Sequence, residues 1–213
     1  NPRHYTCSPE NGFLPDPEQI EAMVTMRTRA LVLINPNNPS GAVYPRELLQ
    51  QIVDIVARDG EQTPFHRMCI SMITHPRSDA DTVAVLKAWT AKIDPAAIPV
   101  SILSNPTTME RADVQRLKDL GADIFTVALD AATPALFGRT RGKGVQSPHK
   151  WQKYWDVLLD ARDVFGPQKF GAHIIVGMGE TEHEVLSLVQ QLVDLGGHSH
   201  LFCFFPEQGS LMD

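Results

Sequence analysis

The chain has 213 residues, 43% of them hydrophobic, and a formal net charge of -6. This length is enough for one sizeable α/β core, because single domains of that class commonly reach about 200–250 residues. The acidic balance argues against a nucleic-acid partner, which needs clustered lysine and arginine. The lack of an apolar run of about 20 residues argues against a membrane span.

The predicted elements begin with a proline-rich lead-in and a helix around residues 16–26. From residue 30 onward, apolar runs alternate with amphipathic stretches. Strands are predicted at 30–35, 67–73, 98–103, 123–129, 170–177 and 199–205. Helices are predicted at 45–58, 79–93, 109–120, 147–165 and 181–195. The helix predictions rest on apolar residues spaced three and four apart. Thr181 and Glu184 predict a capping box at the start of the helix at 181–195.

Six strands alternating with five helices predict parallel pairing, because parallel neighbours need a crossover that a helix supplies. The fold class is therefore α/β, within a single domain spanning residues 1–213. Two architectures fit: a partial TIM barrel of six βα units, which we prefer, and an open doubly wound sheet. In both, a functional site is expected at the carboxyl ends of the strands.

Polar residues follow several of these strands, among them Asn35, Ser104, Asn105 and Asp130. Their convergence at one edge predicts a small-molecule site. Taken singly, each is also an ordinary turn residue after a strand, and both interpretations stay open.

Two further stretches favour a ligand. GMGETEHE at 177–184 has two glycines at a strand-to-helix turn, where backbone can approach a ligand closely. LFGRTRGKG at 136–144 carries three cations, Arg139, Arg141 and Lys143, which suggest an anionic substrate. A solvated basic loop explains these cations equally well.

Cysteine and histidine spacing gives no metal motif. Cys7, Cys69 and Cys203 lie far apart, and Cys69 and Cys203 are expected to be buried within strands. His198 and His200 are expected to face opposite sides of a strand start. Reduced cysteines and the lack of a signal-peptide pattern predict a cytoplasmic protein.

From residue 66 to 213 the chain resembles the radical SAM superfamily, and within it the biotin and lipoate synthase type. The resemblance rests on motifs that agree in order and spacing: CISMITHP at 69–76, SILSNP at 101–106, VALDAATPALFGRTRGKG at 127–144, HKWQKYW at 149–155 and HIIVGMGETEHEV at 173–185. It implies a six-unit partial barrel that binds S-adenosylmethionine (SAM) across its top.

The resemblance also implies roles for individual residues. Asp130 corresponds to a polar residue facing the SAM ribose and the substrate. Ser104 and Asn105 correspond to the strand end near the methionine part. The turn along the adenine corresponds to Gly177, Met178, Gly179 and Glu180.

The family's cluster loop is missing. Radical SAM enzymes hold a four-iron four-sulfur cluster on a CxxxCxxC loop after the first strand, and here that position reads NPNNPSGAVYP. Residues 3–60 instead resemble fold-type I, pyridoxal-phosphate (PLP) dependent aminotransferases, closest to the alanine group. In that family the residue matching Asn38 donates a hydrogen bond to the cofactor ring. The resemblance ends before the Schiff-base lysine would occur.

Together the two resemblances indicate a chimera, in which an aminotransferase βα unit (1–60) replaces the first unit of a radical SAM barrel and residues 65–213 form units two to six. Our first hypothesis is an inactive hybrid barrel without a cluster that keeps weak SAM binding. The alternatives are an active biotin or lipoate synthase-type enzyme using Cys69 and Cys203, and a PLP-binding aminotransferase-related protein. The edge strands of an incomplete barrel favour a homodimer.

Overall fold

The computed structural model describes residues 3–28, 30–35, 37, 40–57 and 65–206. The chain divides into two compact units. The first comprises residues 1–68 and 91–98, and the second comprises residues 69–90 and 99–213. The predicted single domain stays a prediction.

Among its described residues the first unit has two α-helices, α1 (Pro17–Met23) and α2 (Arg46–Ala57). Asp16 caps α1, where its carboxylate accepts a hydrogen bond of 3.0 Å from the backbone N–H of Glu18. The two helices share a small apolar cluster built on Ile20, Ile52 and Ile55. The partly buried side chains packed against it are Tyr5, Val24, Leu31, Leu33 and Leu48.

The strand predicted at residues 30–35 is wrong, because the described residues there belong to no sheet. Leu31 and Leu33 pack on the small cluster, while Val32 and Ile34 are 65% and 45% exposed. This alternation is typical of a strand, but a strand also needs a hydrogen-bonded neighbour. The run therefore supplies apolar surface to α1 and α2 instead.

The second unit is built on a five-stranded sheet in the order β1-β2-β3-β4-β5. The pairings β2–β3, β3–β4 and β4–β5 are parallel, which confirms the predicted α/β class. The strands are β1 (Met68–Ser71), β2 (Val100–Ser104), β3 (Ala122–Asp130), β4 (Phe170–Val176) and β5 (His198–Cys203). The helices are α3 (Ser78–Thr90), α4 (Arg111–Asp119), α5 (Pro134–Thr140), α6 (Trp151–Phe165) and α7 (Glu182–Asp194).

One face of this sheet is covered by helices, and we call it the helix-covered face. Phe125, Phe170 and Ile174 lie on it with 0% exposure, and α6 packs against β3 and β4 there. Burying side chains of this size contributes about 1.5–3 kcal/mol each. The alternate residues, among them Gly171 and His173, point to the opposite face.

The helix ends follow the sequence signals in part. The capping box of α7 is confirmed: Glu184 accepts from the N–H of Thr181 at 2.7 Å, and the Thr181 hydroxyl accepts from the N–H of Glu184 at 3.3 Å. Helix α6 begins at Trp151, four residues later than predicted, and α5 was not predicted. In α5 the Thr133 hydroxyl caps the helix by accepting from Leu136 N–H at 3.1 Å.

Two expectations about side-chain direction are wrong. His198 and His200 share one face of β5, with ring centroids 5.0 Å apart, because residues two apart on a strand point the same way. Cys69 and Cys203 are exposed rather than buried, because they lie on β1 and β5, the two outer strands of the sheet.

Candidate functional site

The carboxyl ends of β2 and β3 are joined by one arginine. Arg141, which follows α5, pairs with the carboxylate of Asp130 at the end of β3. Its other terminal nitrogen donates to the side-chain oxygen of Asn105 at 2.5 Å and to the hydroxyl of Tyr154 at 3.0 Å. We call Asp130, Asn105, Arg141 and Tyr154 the arginine cluster.

The cluster is anchored on both sides. The Asn105 amide donates to the backbone carbonyl of Met72, after β1, at 2.5 Å. The Tyr154 hydroxyl lies 2.9 Å from Nδ1 of His149, whose Nε2 lies 2.8 Å from the Thr74 hydroxyl. Residues at or after the ends of β1, β2, β3 and α5 are therefore tied into one polar network.

The backbone at Asp130 is unusual. Its φ is 58°, in the left-handed region, and the register between β3 and β4 shifts between Ala128 and Asp130. A bulge of this kind re-aims a side chain, and a non-glycine residue with positive φ is costly and concentrates at functional sites. The local strain directs the carboxylate to Arg141.

Burial dominates the electrostatics of the cluster. It raises the pKa of Asp130, and the charge of Arg141 opposes that rise. Burial also raises the pKa of Tyr154, and it lowers the pKa of His149, with a smaller contribution from Arg141. Among the residues that the structure describes, the buried Nε of Arg141 has no hydrogen-bond partner, so one donor of the guanidinium is unused within that part of the chain.

The turn after β4 is closed by its own residues. Gly177 and Gly179 have φ values of 104° and 108°. The Glu180 carboxylate accepts from the N–H groups of Gly177 and of Met178, the latter at 3.0 Å. Burial raises the pKa of Glu180, but these backbone bonds outweigh it and lower the pKa overall. Arg139 donates to the carbonyl of Met178 at 3.1 Å.

The remaining predicted site residues lie elsewhere. Ser104 is fully buried, and its hydroxyl contacts the sulfur of Met109 at 3.7 Å. Lys143 is exposed in a short 3-10 helix, and Asn38 lies outside the described residues. The structure thus brings Asn105, Asp130 and Arg141 together, but not Ser104 or Lys143. Tyr154 and His149 were not predicted, although the motif HKWQKYW contains both.

A cleft of about 610 Å³ lies between α6 and α7, and none of the predicted site residues that the structure describes lines it. Its lining includes Trp151, Trp155, His183 and Leu188. It opens among α6, α7 and the turn after β3, and no residue of the arginine cluster is part of its described lining. We give the network more weight for function, because a small-molecule site needs convergent polar groups.

The cysteines do not fit a shared cluster. Cys69 and Cys203 lie on the two outer strands of the sheet. Four strand spacings of about 4.8 Å lie between these strands, which places the two cysteines about 15–19 Å apart. Cys7 belongs to the first unit. Among the described residues no three His, Cys, Asp or Glu side chains form a group that could hold a metal ion. Within the same residues, no helix is long and apolar enough to cross a bilayer.

Comparison with known proteins identifies the family to which this chain belongs. The family model of the radical SAM superfamily matches residues 36–192, and the chain belongs to that superfamily. The crystal structure of methylornithine synthase (PylB) superposes with a TM-score of 0.63 at 14% sequence identity. The match covers 79% of this chain and 47% of that one, and it supports the partial-barrel fold alone.

The amino-terminal segment matches a second family. The model for aminotransferase class I and II matches residues 1–61. The glutamate-pyruvate aminotransferase AlaA of Escherichia coli is 54% identical over 52 residues, and the alanine aminotransferase of Mycobacterium tuberculosis is 51% identical over 57 residues. Each match spans 13% of the relative's length. The predicted succession of two families is confirmed, and the two matches overlap at residues 36–61.

Proposed function

We propose that this chain is a hybrid radical SAM-type barrel that does not cleave SAM reductively and keeps only weak SAM binding at the carboxyl ends of its strands. The observation that carries the proposal is the placement of the cysteines. The family's cluster supplies the electron that breaks the sulfonium bond of SAM. The two cysteines of the second unit lie on opposite outer strands.

Weak SAM binding follows from the contacts of the arginine cluster. Asp130 and Asn105, which the resemblance assigns to SAM, both already bond Arg141. A ribose hydroxyl that took the place of Arg141 on either side chain would displace a charge-assisted bond worth about 1.5–3 kcal/mol. Each such displacement lowers affinity by about 10- to 150-fold. The backbone N–H groups of the turn after β4 are similarly occupied by Glu180.

The test has two parts. After anaerobic incubation with iron, sulfide and a strong reductant, we expect no release of methionine from SAM above a protein-free blank. In calorimetry we expect SAM to bind with a dissociation constant above about 100 µM, and Asp130→Asn to change that affinity. Steady release of methionine would overturn the inactive assignment. Tight SAM binding, or a SAM affinity that Asp130→Asn leaves unchanged, would overturn the assigned site.

Hydrogen bonds among the described residues of the NPNNPSG run and Tyr44 disfavour the PLP alternative. The Asn37 amide donates to the Tyr44 hydroxyl at 2.9 Å, and the Asn35 side chain accepts from Tyr44 N–H at 2.8 Å. Ser40 donates to Asn37 at 2.6 Å. The described polar side chains of this run are therefore bonded to one another and to Tyr44. After incubation with PLP and removal of the free cofactor, we expect the protein to show no aldimine absorbance band. An aldimine band that disappears when one lysine is replaced would revive the alternative.

A further inference from the structure

Three histidines meet on the face of the sheet opposite the helix-covered face. His173 of β4 and His200 of β5 are cross-strand partners in the parallel ladder. His198 precedes His200 by two residues and therefore points to the same face. The function proposed above uses none of the three.

The ring geometry suits metal coordination by two imidazoles. The ring centroids of His173 and His200 are 4.8 Å apart. Two imidazole nitrogens bound to one ion at about 2.0–2.1 Å place their ring centroids about 4.5–5.3 Å apart. The ring of His198 stands at 89° to that of His200, with centroids 5.0 Å apart, and this edge contact limits how the His200 ring can turn.

The pair offers suitable ligand atoms and is open to solvent. An imidazole nitrogen offers a lone pair to a metal ion. His200 is exposed, so an ion can reach the pair from solvent.

We propose that His173 and His200 form a two-histidine site for a divalent transition-metal ion, with the remaining coordination positions taken by water or a small ligand. Imidazole prefers copper, nickel and zinc over magnesium or calcium, and Cu²⁺ binds most tightly within the series. The site needs two protein ligands, which agrees with the lack of a three-ligand group among the described residues. It is independent of SAM binding and of any cluster.

Copper titration of the full chain tests the site. We expect one Cu²⁺ per chain whose affinity falls at least tenfold in His200→Ala and in His173→Asn. The controls are His183→Ala and His4→Ala, which remove exposed histidines of α7 and of the first unit and should leave that affinity within twofold. Equal affinity in the wild type and His200→Ala would overturn the proposal.

A second measurement covers the case in which a variant fails to fold. Electron paramagnetic resonance of the copper-loaded wild type should report two coordinated imidazole nitrogens, and the His4→Ala chain should give the same spectrum. A spectrum with one nitrogen or none, or one altered by His4→Ala, would contradict the site whatever the variants do.

Discussion

The carboxylate of Asp130, at the end of β3, pairs with the guanidinium of Arg141, and the same guanidinium bonds Asn105 at the end of the neighbouring strand. The side chains of Asp130 and Arg141 are 16% and 20% exposed. One ion pair therefore links two strand ends at the edge where ligands bind in parallel α/β folds.

Removing that guanidinium should destabilise the fold. We expect Arg141→Met to lower the free energy of unfolding by about 2–4 kcal/mol, because it leaves the mostly buried Asp130 carboxylate unpaired. Urea denaturation at pH 7 measures this. The matched control is Arg77→Met, whose pair with Asp81 is 74% and 53% exposed and is worth under about 1 kcal/mol. Equal losses in the two variants would contradict the structural role of Arg141.

A methyl group at Gly179 should strain the turn after β4. Gly179 has φ 108°, and a Cβ there would lie 3.1 Å from the guanidinium of Arg139. We expect Gly179→Ala to cost more than about 1 kcal/mol. Gly138, inside α5, has open space around its Cβ position, so Gly138→Ala should gain about 0.5–1 kcal/mol. Thermal melting of both variants tests the contrast, and a stable Gly179→Ala chain would argue against this turn geometry.

The sequence predicted much of the second unit. Its five strands and the helices α3, α4, α6 and α7 were predicted, because apolar spacing along the chain reports which face is buried. Helix α5 was missed because it has only seven residues. The run at 30–35 was misassigned because pairing with a neighbour is a tertiary property that an apolar run does not encode.

The site was less predictable than the fold. Asp130, Asn105 and Arg141 were each singled out, but as separate contributors to SAM and substrate binding. Their mutual bonds join residues 11 and 36 positions apart, which no local spacing reports. The same holds for His173 and His200, which meet only through the β4–β5 register.

The capping box of α7 should be worth about 1 kcal/mol. Thr181→Ala removes the hydroxyl that accepts from Glu184 N–H, and loss of an N-cap costs about that much. The control is Thr140→Ala, because the Thr140 hydroxyl donates to a carbonyl four residues earlier in its own helix, that of Leu136, a bond that adds little stability. Urea midpoints that shift equally in the two variants would count against the box.

His173 should make the fold sensitive to mild acid. Its pKa falls from the ordinary 6.5 to about 4 in the folded chain, so the folded state favours the neutral ring. The stabilisation is fully present above pH 6.5 and is lost as the pH falls toward 4. With a chelator present, we expect His173→Asn to show a smaller drop in urea midpoint between pH 7 and pH 5 than the wild type. His183→Asn should keep the wild-type drop, and an unchanged drop in His173→Asn would refute the assignment.

The most direct measurement of the central claim is the iron and acid-labile sulfide content of the chain after anaerobic reconstitution. We predict less than one iron per chain, unchanged when Cys69 and Cys203 are both replaced by serine. About four irons per chain, lost in that double variant, would contradict our account of this barrel.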